Sequence, residues 1–241
     1  MTNDEYRAIE SYMLLNMNDK AHDQHHVYRV LNAALDIASH EGAEKIAAGV
    51  LIAACLLHDI GREAQSADHR LCHAQVGSIM AYDYLISRGW PVCAAVHVKD
   101  CIATHRYRRD TVPQSIEAKI LFDADKLEAS GAIGIARTLI YGGQVAEPLY
   151  IIDESGNIIT DGGGAEISSF MQEYNYKLKN VYNAFYTKRA KDIAAKRQET
   201  AIAFYGGLYC EIQENYKNSI DSYLIDKQPH NNPQNHNKPV N

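Results

Sequence analysis

The amino-acid sequence predicts an all-α helical bundle with one small inserted β-hairpin. Apolar residues recur at helical spacing along most of the chain. Glycine and proline divide these stretches into segments of ordinary helix length. The region of about residues 144–164 departs from this pattern. Within it, residues 148–160 hold two β-branched runs around Glu-Ser-Gly-Asn, which indicates a hairpin.

The first helices have recognisable start and stop signals. A short amphipathic helix covers residues 5–17. Asp23 can cap the next helix, which runs to about Ser39. Gly42 then breaks the chain, and an almost continuously apolar helix follows over 43–58. A helix that is apolar on most faces is typical of the middle of a bundle.

Gly61 is expected to end this apolar helix, where the backbone can turn, and a polar loop follows to about Leu71. Pro91 suits the first turn of a later helix. The remaining predicted helices cover 72–88, 91–105, 115–129, 131–140 and 165–215.

The length of 241 residues fits one domain with a tail. We expect a single helical domain over 1–226 and a disordered tail, rich in Pro, Asn and Gln, over 227–241. The five cysteines form no C-x-x-C pair and are expected to be reduced.

Charge and hydropathy restrict the partners. The net charge of −6 argues against nucleic acid as a partner. The longest apolar stretch, 46–57, is far shorter than a membrane span, and no signal-peptide pattern opens the chain. We therefore predict a cytoplasmic protein with no membrane partner, and the sequence leaves open whether it forms an oligomer.

The sequence contains two His-Asp dipeptides, His22-Asp23 and His58-Asp59. The first lies at a polar helix start, whereas the second closes the most apolar helix of the chain. An ionisable pair at the inner end of a buried helix is costly unless it is neutralised. A divalent metal ion would neutralise it, and a buried ion pair without metal is the alternative.

Two further residues extend this pattern. His26 lies inside its helix, and Asp125 lies on a periodic helix. Two imidazoles and two carboxylates form a mixed nitrogen and oxygen site that suits Mn, Fe, Mg, Ni or Zn. Four such ligands leave coordination positions on the metal ion open for water and for oxygens of the substrate. Spacing alone does not choose between His26 and His22, and Asp123 competes with Asp125.

Three motifs in order resemble the HD-domain superfamily of metal-dependent phosphohydrolases. Residues 22–30 (HDQHHVYRV) match its H-D-x-x-H-x-x-R-V opening, and 56–61 (LLHDIG) match its signature dipeptide. Residues 123–129 (DADKLEA) resemble its D-A-D-x-L-[DE]-A closing motif. The resemblance covers roughly 20–140, and the helical remainder resembles small stand-alone bacterial members.

This resemblance implies an HD-domain helical bundle and a particular ligand set. The implied ligands of one divalent metal ion, or of two, are His26, His58, Asp59 and Asp125.

The resemblance also implies catalytic roles for other residues. His73 and His105 would line the pocket as general acids, as phosphate ligands or as ligands of a second metal ion; taken alone, each is equally a satisfied core or cap histidine. Glu63 is a candidate to orient the attacking water, and a solvated loop carboxylate is the alternative.

Several cationic side chains are candidates to hold substrate phosphates, because guanidinium and ammonium groups suit phosphate oxygens. The arginine run after His105 is otherwise a solvated surface loop. The candidates are Arg29, Arg106, Arg109, Lys126 and Lys177.

We therefore predict a metal-dependent phosphohydrolase that acts on a nucleotide or another small phosphate ester or anhydride. Nucleotide pyrophosphohydrolase, with manganese, is the favoured activity. Nucleoside 5′-monophosphatase is one alternative. A di-iron HD-type oxygenase is another, since His73 and His105 would supply the extra ligands, and a binding module without chemistry is a third.

Overall fold

A computed structural model describes residues 1–17, 24–106, 111–162 and 169–217, so the predicted tail lies outside the described residues. The described part is helical and contains no strand, which confirms the all-α prediction. The α-helices are α1 (Asn3–Leu15), α2 (Gln24–His40), α3 (Ala48–Leu57), α4 (Arg62–Ala67), α5 (His73–Ser87), α6 (Val92–Ala103), α7 (Ile116–Leu127), α8 (Gly131–Gln144), α9 (Phe170–Tyr176) and α10 (Lys188–Lys217).

Helix α3 lies in the middle of the main bundle, as its composition predicts. It packs against α1, α2, α6 and α7, and seven of its ten residues are buried. It begins at Ala48, later than predicted, because a separate 3₁₀ helix covers Ala43–Lys45. The backbone N–H of Ala47 donates to the Glu117 carboxylate of α7 at 2.8 Å, which takes the place of a side-chain cap.

A second, smaller core lies between α8, α9 and α10. Ile135, Phe170, Met171 and Tyr205 are buried in it. None of the described helices combines the length and hydropathy of a membrane span.

The predicted β-hairpin is wrong for the described residues. One isolated antiparallel bridge joins Ile152 to Ile158, and no strand extends from it. The Asp153 carboxylate accepts the backbone N–H groups of Ser155 and Asn157 at 2.9 and 2.8 Å. These side-chain hydrogen bonds use backbone N–H groups that would otherwise pair two strands. Residues 163–168, at the end of the predicted insertion, lie outside the described part.

Two other predicted segments differ from the structure. The loop after Gly61 contains the short helix α4. The predicted helix over 165–215 is divided into α9, a 3₁₀ helix over Leu178–Asn183, and α10. Ser169 caps α9 by accepting the backbone N–H of Gln172 at 3.3 Å.

Candidate metal centre

Six ionisable side chains from five elements of the bundle meet at one place. They belong to α2, to the turn after α3, to the start of α5, to the end of α6 and to α7. All are buried except Asp125, whose side chain is 15% exposed. The six are His26, His58, Asp59, His73, His105 and Asp125.

His26, His58 and Asp125 form a first triplet. The Nε2 atoms of His26 and His58 are 3.3 Å apart. Oδ1 of Asp125 lies 3.6 Å from the first of these nitrogens and 4.0 Å from the second. These separations place three ligand atoms close enough to hold one metal ion.

Asp59, His73 and His105 form a second triplet. The Nε2 atoms of the two histidines are 3.3 Å apart, and Oδ1 of Asp59 lies 3.4 and 3.7 Å from them. The sequence predicted that both histidines line the pocket, and the structure brings them together with the predicted ligands.

Asp59 joins the two triplets. Its Oδ2 lies 3.4 Å from Nε2 of both His26 and His58, while Oδ1 faces the second triplet. Both oxygens are buried and have no hydrogen-bond partner among the described residues. Nε of Arg62 is 2.7 Å from Oδ2, but its direction does not form a hydrogen bond. A buried carboxylate in this position is costly unless a cation binds it, so the site fits one metal ion, or two bridged by Asp59.

Backbone carbonyls orient two of the imidazoles. Nδ1 of His58 donates to the Cys55 carbonyl at 2.8 Å, and Nδ1 of His105 donates to the Ile102 carbonyl at 2.7 Å. With the proton on Nδ1, the Nε2 lone pair of each ring points into the cluster. This arrangement is common for metal-ligating histidines.

Side chains orient the imidazoles of the other two histidines, His73 and His26. Nδ1 of His73 faces Oε1 of Gln65 at 2.5 Å, and Nδ1 of His26 faces Oε2 of Glu128 at 3.3 Å. Burial lowers the pKa of His26, but the adjacent carboxylates of Asp59 and Glu128 outweigh it and raise the pKa overall.

The two carboxylates are anionic at neutral pH. Burial raises the pKa of Asp59, but the charges of His58 and Arg62 outweigh it and hold that pKa well below its ordinary value. Burial is likewise outweighed at Asp125, where Lys126 and the neighbouring imidazoles lower the pKa. Metal ligands must be deprotonated, so this state suits a cation.

The imidazoles of the second triplet are neutral at the same pH. Burial and the nearby charge of Arg62 lower the pKa of His73 to about 2. Burial and the charge of His58 lower the pKa of His105 to about 4. Neutral imidazoles favour the role of metal ligand for both residues over that of general acid.

The structure separates the competing residues. His26 is buried in the cluster, whereas His25 is exposed. Asp123 is also buried, but it accepts hydrogen bonds from the residues just before α10 and faces away from the cluster. His22 lies outside the described residues.

Three of the predicted phosphate-binding residues lie beside the cluster. Nη2 of Arg29 is 2.8 Å from Oε2 of Glu128, and Nζ of Lys126 is 3.4 Å from Oδ2 of Asp125. Arg106 is close enough for its charge to lower the pKa of His73.

The other predicted residues have different surroundings. Lys177 is 67% exposed and pairs with Glu173 at 2.7 Å, with no described contact to the cluster. Glu63 is exposed in the first turn of α4. Arg109 lies outside the described residues. The roles of these three residues stay predictions.

The sequence did not single out Arg62, Gln65, Glu128 or Arg137 as site residues. Glu128 belongs to the motif DADKLEA, which is the one sequence signal that could have found it. Arg137 ends the stretch 131–137, which continues the resemblance to the closing motif. No local pattern marks Arg62 or Gln65, although Arg62 lies only three residues after Asp59.

Comparison with known proteins agrees with this geometry. Residues 24–130 match the model of the HD domain. The protein YpgQ of Bacillus subtilis (strain 168) is 29% identical over 195 residues, which cover 79% of this chain and 84% of YpgQ.

Solved structures share the fold. A crystal structure of Bacillus subtilis YpgQ in complex with ADP has a TM-score of 0.65 at 24% identity, and covers 86% of this chain and 97% of that chain. A crystal structure of an HD-superfamily hydrolase from Bacillus thuringiensis has a TM-score of 0.64 at 26% identity, and covers 86% of this chain and 96% of that chain. Over residues 24–130 the chain therefore matches the HD domain, and solved structures that share its fold include an HD-superfamily hydrolase.

Proposed function

We propose that the protein is a phosphohydrolase that cleaves a nucleotide, with nucleotide pyrophosphohydrolase as the favoured activity. The observation that carries this proposal is the buried carboxylate of Asp59 between two ligand triplets. A divalent metal there supplies a water of lowered pKa and polarises a phosphoryl oxygen.

The chain's own residues have defined tasks in this reaction. The four imidazoles present their Nε2 atoms, and their Nδ1 partners fix the ring orientations. Asp125 is the most accessible ligand, at 15% exposed, so substrate and water approach from its side. The other five ligands exclude bulk water because they are buried.

Cationic groups beside the cluster support a phosphate substrate. The side chains of Arg62, Lys126 and Arg29 are 22%, 18% and 39% exposed, so each remains accessible. Arg62 and Lys126 contact a carboxylate of the centre, and Arg29 contacts Glu128 beside it. Such groups stabilise negative charge on phosphoryl oxygens. The ADP bound to Bacillus subtilis YpgQ supports a nucleotide as the substrate.

An assay of products tests the proposal. Metal-stripped protein is given Mn²⁺ and a panel of nucleoside mono-, di- and triphosphates, and phosphate is measured with and without added inorganic pyrophosphatase. We expect a triphosphate to yield a monophosphate and pyrophosphate, with loss of turnover in EDTA and in a folded Asp59→Ala variant. Glu117→Gln, on the same bundle but away from the cluster, is the matched control.

Other outcomes identify the alternatives. Release of orthophosphate from monophosphates alone would indicate a nucleoside 5′-monophosphatase. The second triplet also favours a di-iron oxygenase, which would show two bound irons, oxygen consumption and no phosphate release from any nucleotide. Either result would overturn the pyrophosphohydrolase proposal.

A further inference from the structure

The carboxylate of Glu128 contacts three side chains beside the first triplet. Its Oε2 lies 3.3 Å from Nδ1 of His26, 2.9 Å from Nε of Arg29 and 3.0 Å from Nη1 of Arg137. Glu128 is 6% exposed and caps the end of α7, while its partners come from α2 and α8. One buried oxygen therefore connects a candidate metal ligand to two arginines.

His26 differs from the other three imidazoles of the centre. Nδ1 of His58 and of His105 faces a backbone carbonyl, which only accepts a hydrogen bond. Nδ1 of His26 faces the Glu128 carboxylate and is also in contact with Nη1 of Arg137. A guanidinium only donates, so Glu128 and Arg137 favour opposite proton positions on this ring.

The two partners have opposite consequences for metal binding. With Glu128 as partner, Nδ1 carries the proton and the Nε2 lone pair faces Asp59. With Arg137 as partner, Nδ1 accepts, so a neutral ring carries its proton on Nε2, where it faces Asp59 and blocks a metal ion.

We infer that Glu128 is a positioning residue that prepares His26 for metal binding, and that Arg137 opposes it. The inference rests on the proposed function only in that the centre holds a metal ion. Arg29 binds Glu128 through both Nε and Nη2, at 2.9 and 2.8 Å, and keeps the carboxylate in place without touching His26 in the described contacts.

Calorimetric titration of metal-stripped protein with Mn²⁺, without nucleotide, tests the inference. We expect Glu128→Ala to weaken binding by about 10–100-fold, the usual effect of losing the partner of a ligating histidine. Glu128→Gln keeps an accepting oxygen, so we expect a smaller loss. Arg137→Gln replaces the competing guanidinium by a shorter, neutral amide, so we expect affinity equal to or greater than that of the wild type.

Glu117→Ala is the matched control. Glu117 is as buried as Glu128, at 3% exposed, and lies on the same helix, but it accepts the backbone N–H of Ala47 and lies 3.1 Å from Nε2 of His97. We expect its loss to leave Mn²⁺ affinity within about twofold, since none of its described contacts is with a candidate ligand. A Glu117→Ala loss equal to that of Glu128→Ala would indicate a general packing effect and overturn the inference.

Two results separate this inference from the proposed function. Wild-type Mn²⁺ affinity in Glu128→Ala, or equal weakening by Arg137→Gln, would overturn the inference while the wild type still cleaves nucleotides. Conversely, a wild type that binds Mn²⁺ but cleaves no nucleotide would overturn the proposed function and leave the positioning role intact. If Glu128→Ala does not fold, weaker binding in Glu128→Gln together with no weakening in Arg137→Gln carries the test.

Discussion

At the scale of the residue, Asp59 is the side chain on which the candidate centre depends most. Its two oxygens face different triplets, and both are buried without a hydrogen-bond partner among the described residues. The histidines differ, because each contributes its Nε2 to one triplet. Removing Asp59 therefore affects the whole centre, whereas removing one histidine affects one side of it.

The number of bound metal ions should therefore differ between a variant that lacks Asp59 and one that lacks a single histidine. We expect the metal-replete wild type to hold about two Mn²⁺ per chain, His73→Ala about one, and Asp59→Ala none. Elemental analysis after gel filtration measures these ratios, with circular dichroism as the control for folding. Equal metal content in His73→Ala and Asp59→Ala would contradict the bridging position of Asp59.

The imidazoles also make the metal-free protein sensitive to pH. The pKa of His73 is lowered to about 2 and that of His105 to about 4, both from 6.5. At a pH between 6.5 and the lowered pKa, each of these imidazoles is protonated in the unfolded chain but neutral in the folded protein. The free energy of unfolding therefore falls as the pH falls through this range. The raised pKa of His26 has the opposite effect.

We expect acidification from pH 6.5 to about 5 to lower the free energy of unfolding by roughly 2 kcal/mol for each lowered imidazole, less the opposing contribution of His26. Urea denaturation of the metal-stripped protein at both pH values measures this change. His105→Asn should show a weaker pH dependence. A free energy of unfolding that rises on acidification would contradict the argument.

At the scale of the element, the turn between α3 and α4 brings the two triplets together, because it carries His58 and Asp59. Gly61 was expected to let the backbone turn, but with φ −85° it has a conformation that other residues also adopt. It is needed for space, because a Cβ there would lie 2.3 Å from the His73 carbonyl oxygen and 2.6 Å from the Gly77 nitrogen. The glycine lets α5 approach the turn that carries Asp59.

Gly61→Ala should therefore separate the triplets. We expect a loss of about 1–3 kcal/mol in the free energy of unfolding from overpacking, together with weaker binding of one Mn²⁺. Urea denaturation and calorimetry measure the two effects. Gly143→Ala, where the added Cβ meets nothing within 4 Å, is the control. A Gly61→Ala protein as stable as that control would be inconsistent with the close approach.

The junction of α7 with α10 depends on Asp123. Its carboxylate accepts the backbone N–H of Tyr186 at 2.9 Å, and the N–H and hydroxyl of Thr187, both at 2.7 Å. These bonds hold the start of α10 on the helix that carries Asp125. Asp123 is thus a structural carboxylate two residues from a candidate ligand.

Asp123→Asn should lower stability without loss of metal. The amide cannot accept all three donors, and a buried donor without a partner costs about 1–3 kcal/mol. We expect this decrease in urea denaturation with unchanged Mn²⁺ content. Asp125→Asn should do the reverse and lose metal with little effect on the metal-free protein. Loss of Mn²⁺ in Asp123→Asn would show that the two carboxylates were assigned wrongly.

At the scale of the whole molecule, metal binding and folding are linked. The six candidate ligands come from five elements, so they are brought together only in the folded chain. A ligand that binds the folded state alone stabilises it by mass action. The metal ion would therefore strengthen the bundle around α3 as well as supply the chemistry.

We expect free Mn²⁺ at 100 times its dissociation constant to add about 2.7 kcal/mol and raise the Tm by roughly 5–10 °C. Thermal denaturation with Mn²⁺ and then with excess EDTA measures the increase and its reversal. Asp59→Ala is the control and should show no increase. An equal increase in that variant would place Mn²⁺ elsewhere on the protein.

The sequence by itself determined the all-α architecture and the match to the HD domain over residues 24–130, because helical periodicity and the HD motifs are local patterns. It also indicated which histidines and carboxylates meet. For His26 and Asp125 this rested mainly on resemblance, and so did the pocket roles of His73 and His105. The predicted hairpin was wrong because two short β-branched runs did not extend beyond one bridge once Asp153 had taken up the loop N–H groups.

Only the tertiary structure decided how the ligands divide into two triplets with Asp59 between them. It also decided that Asp123 faces α10 and that Glu128 joins His26 to two arginines. The reason is physical: a helical pattern determines which side of its own helix a residue occupies, whereas the angle between helices determines which side chains share a metal ion.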